Sequence, residues 1–300
     1  MNTFSALAVR NTKLFFKDKG MFFTSLITPI ILLVLYGTFL ANIFKSTFRE
    51  ALPGTVGVSE SIVNGLVGGQ LMSSLLSVSC VTVAFCANFL MVQDKVSGAA
   101  KDFLVSPVKK SALSLAYYFS TLAVTLIVCY TAMIISFIYI AFTGWYIPFS
   151  DMLLIIADVF ILVMFGTALS SIINYFLSSQ GQVSAVGTVV SAGYGFICGA
   201  YMPIGSFGEG LRNTLGFFPG TYGTSLLRNH ALNGVFDKMS GQNIPAEAIN
   251  AIKDSVDCNL YFFGTKVEIW VMYLVLCAVT VAIICAYVLI NKLCSATKKK

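Results

Sequence analysis

Long apolar runs separated by short clusters of Lys, Arg, Gly and Pro set the pattern of this sequence. About 20 apolar residues in a helix are needed to cross the hydrocarbon core of a bilayer. Runs of that size predict spans at about 22–44, 63–91, 113–141, 151–176, 184–203 and 267–291. The second and third are long enough to require tilt or extension past the membrane. The fifth is the least apolar; it is rich in Ser and in Gly187, Gly193, Gly195 and Gly199. Small residues let helices approach closely, so this span is expected to pack inside a bundle. Gly65–Gly69 and Gly195–Gly199 are GxxxG pairs, weak as dimerisation signals because glycine is common in membrane helices.

The polar stretches complete the pattern. Residues 2–19 place Phe4, Leu7, Ala8, Leu14 and Phe15 near helical spacing, with Arg10, Lys13 and Lys17 between them. Such a helix lies along a membrane surface. Pro29 falls early in the first span and is expected to bend it. The longest non-membrane stretch is 204–266. Its Phe207, Leu211, Leu215 and Phe218 form a stripe ending at Pro219-Gly220, which predicts a short re-entrant helix. A second amphipathic helix is expected at 245–256, with Pro245 in its first turn and Ile249, Ile252 and Val256 on one face. The fold class is therefore all-α integral membrane, a single transmembrane domain over residues 1–300.

Composition agrees: 57% of the residues are hydrophobic and 11% charged, against roughly 25% charged in soluble domains. The net charge of +6 gathers at the ends of apolar runs and makes no basic stripe with interleaved aromatics, so no nucleic-acid partner is expected. Twelve Lys and Arg fall in the N-terminal segment, the 93–110 loop and the C-terminal tail; seven fall on the other side, mostly in the long 204–266 loop. Short basic segments stay inside, so both termini and the 93–110 loop are expected in the cytoplasm. Trp145 and Trp270 then sit at the outer interface, where indole rings concentrate. The 22–44 run is too long for the apolar core of a signal peptide.

Chemistry is sparse. His230 is the only histidine, so His-based triads and multi-histidine metal sites are excluded. The eight cysteines include no CxxC pair, and six lie inside apolar runs. No GxxxxGK[ST] phosphate loop occurs. Asp158 is the one acidic residue well inside a span; it marks either a substrate path or a hydrogen-bonded packing site. Asn88 and Asn174 pose the same choice more weakly. The loop 93–110 pairs charges at Asp94, Lys95, Lys101 and Asp102 with an apolar tip, Phe103-Leu104-Val105, before Pro107. An apolar tip on a cytoplasmic loop makes sense when another protein covers it.

Four features together resemble the ABC type-2 permease family, the membrane subunits of exporters. Arg10–Pro29 is similar to the family's basic amphipathic helix leading into span one. Asp94–Pro107 with Lys109-Lys110 resembles its acidic-x-x-x-Gly…Leu-x-x-Pro loop, which carries a cytoplasmic coupling helix; here Asp replaces the more usual Glu and Ala99-Ala100 a more polar pair. Gly199–Pro203 followed by Phe217-Phe218-Pro219 is similar to the family's turn after span five and its second proline. The six-span layout is the fourth.

The resemblance implies a permease of an ATP-driven exporter in the cytoplasmic membrane of a bacterium. It implies a second permease, identical or related, and two separate ABC ATPase subunits that carry ATP and Mg; this chain binds no cofactor and is not an enzyme. Contact with the ATPase is implied at Asp94, Gly98, Asp102, Phe103, Leu104 and Pro107, with Arg10 and Lys13 nearby. Asp158, Asn88 and Asn174 are candidates for the substrate path, and Pro203, Phe218 and Pro219 for an outer gate. Aromatic-rich spans with few charges favour an amphipathic or lipid-like cargo, such as a drug, an antibiotic peptide or a lipid-linked glycan. The alternatives are a secondary transporter driven by an ion gradient and a membrane scaffold without a transport path.

Overall fold

The computed structural model describes residues 3–51, 59–100, 103, 110–242 and 244–297. Its centre is one long helix, α4 (Glu60–Val96), whose apolar window is 94% buried. Around it stand α2 (Lys19–Leu35), α5 (Lys110–Thr143), α6 (Phe149–Phe176), α7 (Gln180–Ile197) and α9 (Pro219–Ser240). The last helix, α11 (Ile269–Thr297), packs on α6, α9 and α5. A first helix, α1 (Thr3–Lys17), lies against α5 with Leu7 and Phe15 buried and Lys13 exposed. After Leu35 the α2 helix widens into a π turn at Tyr36–Leu40 and continues as α3 (Ala41–Ala51).

Among the described residues, five helical stretches are long and apolar enough to cross a membrane: Lys19–Ser46, Glu60–Val96, Ala112–Thr143, Phe149–Phe176 and Ile269–Lys292. The stretch expected as the fifth span forms α7, which begins at Gln180 and ends at Ile197 and is not among them. Its 18 residues extend about 27 Å at 1.5 Å each, just short of a hydrocarbon core of about 30 Å. Ser179 caps its start by accepting from Gln182 N–H, and Gln182 Oε1 accepts from Ser178 N–H.

Lipid tails are as apolar as leucine, so helices in a bilayer associate through close packing and polar contacts. The α4–α6 contact shows this. A Cβ on Gly166 would lie 2.6 Å from the carbonyl oxygen of Cys80, so only glycine permits the approach. Gly65 and Gly69 are used within the chain: a Cβ on either would strike Tyr146, or Leu232 and the backbone of Ala231.

The region 204–266 departs most from expectation. A loop with two short amphipathic helices is expected there. Instead the 22-residue α9 runs through it, buried along α4, α6 and α11. Pro219-Gly220 starts this helix rather than ending one, with Pro219 in its first turn, where a missing N–H costs nothing. Ahead of it come a 3-10 turn at Ile204–Ser206 and the seven-residue α8 (Glu209–Leu215). Leu215 is buried, whereas Leu211 and Phe218 of the expected stripe are exposed. The second expected helix is α10 (Ala246–Ser255): Ile249, Ile252 and Val256 are buried, and Pro245 caps it rather than entering it. A hairpin, β1 (Leu260–Phe262) with β2 (Thr265–Val267), pairs Leu260 with Val267 and turns at Phe263-Gly264, both at positive φ.

Side-chain pairs fix how far α9 reaches. Asn233 meets Asp151 near the start of α6, His230 meets Asp158, and Leu162 packs against Gly223. Arg228 meets Ser74 of α4, and Leu232 meets Gly69. Helix α9 therefore runs antiparallel to both neighbours. It begins about halfway along α4, beside Tyr194 of α7, and rises toward the ends where α4 and α6 begin.

Candidate translocation groove and motor-facing end

The opposite end of the bundle carries the residues singled out around the 93–110 loop. Asp94, in the last turn of α4, has a side chain 7% exposed and accepts both arms of Arg10, at 2.6 and 3.2 Å. Tyr117 of α5 donates to the same carboxylate at 2.6 Å. One acid thus joins α1, α4 and α5. The Asp94 hydrogen bond raises the Arg10 pKa further above its ordinary value, which keeps the guanidinium charged. The Arg10 guanidinium also lies over the Phe103 ring, 5.1 Å from its centre. Gly98 ends α4 in the left-handed region, φ +86°, where a side chain is strained. Lys13 is exposed. Asp102, Leu104 and Pro107 lie outside the described residues.

In the sequence Lys95 counts only as a loop charge, with no contact assigned to it. Its Nζ donates to the carbonyls of Asn174, Tyr175 and Leu177 at 3.1, 2.6 and 3.1 Å, capping the C-terminus of α6. Neighbouring residues of α4 therefore hold different partners: Asp94 grips α1 and α5, Lys95 grips α6 and the link to α7.

Beside this end opens a groove of about 1120 Å³ between α2, α4 and α7. Ile27, Ile31 and Leu35 of α2, Phe89 of α4, and Val183 and Phe196 of α7 give it apolar walls. Thr28, Ser184, Thr188 and Ser191 add hydroxyls. None of the described lining side chains is charged. The groove runs from Gln93 and Gln180 at the Asp94 end to Tyr201 and Met202 toward the hairpin end. One wall is thin: the α2 stretch is only 18% buried, and Ile27, Ile30, Ile31 and Val34 are half exposed.

The three candidates for a substrate path lie elsewhere. Asp158, 1% exposed, sits where α6, α9 and α11 meet. It accepts from Tyr273 Oη at 2.5 Å and shares a hydrogen bond with His230 Nδ1 at 2.6 Å. Asn88 donates to Ser170 and Ser171, joining α4 to α6. Asn174 is fully buried; its carbonyl takes Lys95, and its side-chain amide has no hydrogen-bond partner among the described residues. None of the three lines the groove.

Pro203, Phe218 and Pro219 stand where the chain turns. Gly199, at φ +76°, breaks the end of α7, and a Cβ there would strike Ile204. Pro203 caps the 3-10 turn and Phe218 caps α9. The turns are held by a buried ion pair that hydropathy hid. Arg228 of α9, fully buried, meets Asp257 at 3.2 Å and donates to the carbonyl of Gly199 at 2.5 Å. Asp257 also accepts from the N–H groups of Ile204 and Gly205. Burial pushes the Asp257 carboxyl up; Arg228 and the two N–H groups pull it back. The available signal was an arginine set among Leu226, Leu227, Ala231 and Leu232, company that calls for a partner acid.

No curated protein sequence matches the chain. The model of the ABC-2 type transporter family matches residues 2–231, from α1 through the first half of α9. That family is a transmembrane permease domain without an ATPase domain of its own, served by ABC ATPase partners. The match covers well over half of the chain, which therefore belongs to the ABC-2 type transporter family and is an ABC transporter permease subunit of the membrane.

Proposed function

We propose that this permease is the membrane half of an ATP-driven exporter that moves an amphipathic or lipid-like substrate outward across a bacterial cytoplasmic membrane. The observation that carries the reading is the uncharged groove between α2, α4 and α7, open along its side. A cargo with a long apolar part fits such walls; a small ion finds no charged partner there. At about 1120 Å³ the groove exceeds the 300–1,000 Å³ of ordinary small-molecule sites, which suits a drug, a peptide antibiotic or a lipid-linked glycan.

On this reading both termini are cytoplasmic, and α7 is the sixth crossing alongside the five longer helices. The α8–α9 segment is re-entrant from the outer side, with Pro203, Phe218 and Pro219 at its turns. A second permease, identical or related, covers the exposed face of α2 and closes the groove. Two ATPase subunits dock at the Asp94 end, and Arg10, Lys13, Asp94, Gly98, Asp102, Phe103, Leu104 and Pro107 form or support their seat. When ATP draws them together, α4 passes the displacement to α1 and α5 through Asp94 and to α6 and α7 through Lys95.

Thr188→Trp tests the reading, because Thr188 is exposed and lines the groove. The chain is reconstituted with its ATPase in proteoliposomes. Thr188→Trp is expected to insert normally and to lose ATP-dependent efflux of a fluorescent amphiphile. Full efflux through the filled groove would exclude this path.

A further inference from the structure

A second cavity, of about 440 Å³, opens beside the hairpin end of the groove. Met202 lines the groove and Ile204 lines this cleft, so only Pro203 separates them along the chain. In chemistry they differ. The cleft's charged lining is Arg212, Asp254 and Asp257, with Ser206, Ser255, Asn259 and Tyr261 between them.

Arg212 is the informative residue. It is half-buried, yet its Nε is buried with no hydrogen-bond partner, and no ion pair holds it among the described residues. A guanidinium carries five donors and no acceptor, and leaving a buried donor unmade is costly. The acids nearby do not answer it. Asp257 belongs to Arg228 and to the N–H groups of Ile204 and Gly205. Asp254 is exposed and takes Asn259 and Tyr261 on one oxygen, Oδ1, at 2.7 and 3.2 Å, leaving Oδ2 open. The cleft therefore offers one uncommitted cation and one half-committed anion, with hydroxyls between. Its volume holds many waters at about 30 Å³ each, so a ligand of several heavy atoms fits.

We propose that this cleft binds the zwitterionic headgroup of an amphiphile, with Arg212 taking its phosphate and Asp254 its ammonium group. The proposal deepens the exporter reading and rests on it for one point: a headgroup held here has its chains beside the exit of the apolar groove. A purely anionic headgroup satisfies Arg212 but meets Asp254 with like charge.

The test uses the purified full-length chain in detergent and native mass spectrometry. The probes are dioleoyl phosphatidylethanolamine, dioleoyl phosphatidylglycerol and soluble glycerophosphoethanolamine. Wild-type protein is expected to bind the ethanolamine lipid about tenfold more tightly than the glycerol lipid, and Arg212→Gln to weaken the former about tenfold, the scale of one charge-assisted hydrogen bond. Asp254→Asn is expected to erase the preference between the two lipids. Among the described residues the Arg212 side chain holds no other partner, so its substitution leaves the fold intact, and an unchanged melting temperature checks this. Soluble headgroup that competes more weakly than the lipid assigns the ligand to the membrane; equal competition assigns it to solution; both support the site. Equal binding of the two lipids by wild type, undiminished binding by Arg212→Gln, or no competition by the soluble headgroup overturns it. Failure here with Thr188→Trp still blocking efflux removes only the cleft; loss of the groove's role with lipid preference intact removes only the exporter reading.

Discussion

Removing either partner of the Arg10–Asp94 pair breaks the same bond, yet the two losses should be unequal. Opposite charges about 4 Å apart attract by roughly 4 kcal/mol at an effective dielectric of 20, and most of that offsets dehydration. The Arg10 side chain is 33% exposed and Asp94 7%. In Asp94→Asn, Arg10 can hydrate its charge, and the amide oxygen still accepts from Tyr117. The loss is then close to that of an ordinary hydrogen bond with a weak surface pair, about 1 kcal/mol. In Arg10→Met, a carboxylate stays buried with only Tyr117 to meet it. Stranding a fully buried charge costs about 3–5 kcal/mol; discounted for the third of Arg10 already in solvent, the expected loss is about 2–3 kcal/mol. Reversible unfolding by SDS in mixed micelles, read by tryptophan fluorescence, gives both numbers, and the double variant gives their coupling. Asp94→Asn costing as much as Arg10→Met, or a coupling near zero, would refute the view that Asp94 is the buried hub of this end.

Three further outcomes follow from packing and polar contacts. Gly166→Ala brings a Cβ within 2.6 Å of the Cys80 carbonyl and should cost about 1–3 kcal/mol as overpacking, with Gly166→Leu giving no monodisperse protein on size-exclusion chromatography. Asp158→Ala strands Tyr273 and His230 and should lower stability by about 2–3 kcal/mol, while Asp158→Asn, which keeps an acceptor for Tyr273 and offers the His230 ring an N–H, should lose about half of that or less; equal losses would remove the hydrogen-bonding account. On the proposed function, Phe103→Asp leaves insertion and folding unchanged but removes the aromatic face under Arg10 and the apolar tip offered to the ATPase, so ATP hydrolysis no longer responds to the permease; undiminished stimulation in proteoliposomes counts against that seat.

What the sequence made legible was set by physics that acts on contiguous residues. A bilayer demands an unbroken apolar run, so α4, α5, α6 and α11 stood out from hydropathy alone. Amphipathic spacing was enough for α10, whose Ile249, Ile252 and Val256 share one buried face. Helix α9 was hidden because its burial is polar as well as apolar. Arg228, His230 and Asn233 lower the hydropathy of 219–240, and the buried acids that meet them, Asp257, Asp158 and Asp151, lie far away in the chain. Read singly, each residue argues for solvent; read as pairs, they argue for a buried helix. The same blindness to distant partners leaves Asp158 an open choice and Lys95 a loop charge without its grip on α6. The groove was illegible for a different reason: it is space between α2, α4 and α7, and no residue pattern encodes a separation.

The pairing that hid α9 also shapes how the far end can move. Three acids hold α9: Asp151 and Asp158 from α6, and Asp257 from the turn after α10. Arg228 reaches past Asp257 to the carbonyl of Gly199, where α7 ends. The end of α7, the 3-10 turn and α9 are thus tied into one polar knot next to the mouth of the groove. Polar bonds away from water are short-ranged and directional, so such a knot shifts as a unit or breaks outright. On the proposed reading, displacement arriving through Lys95 and α6 reaches this knot through Asp158 and Asp151. The exit then opens by moving α9 with its turns as one body, leaving the Arg228–Asp257 pair intact throughout. A cysteine pair that crosslinks α9 to the 256–259 turn should therefore leave efflux unchanged, whereas one that crosslinks the end of α7 to α2 across the groove should stop it. Loss of efflux in the first crosslink would show that the knot itself must come apart.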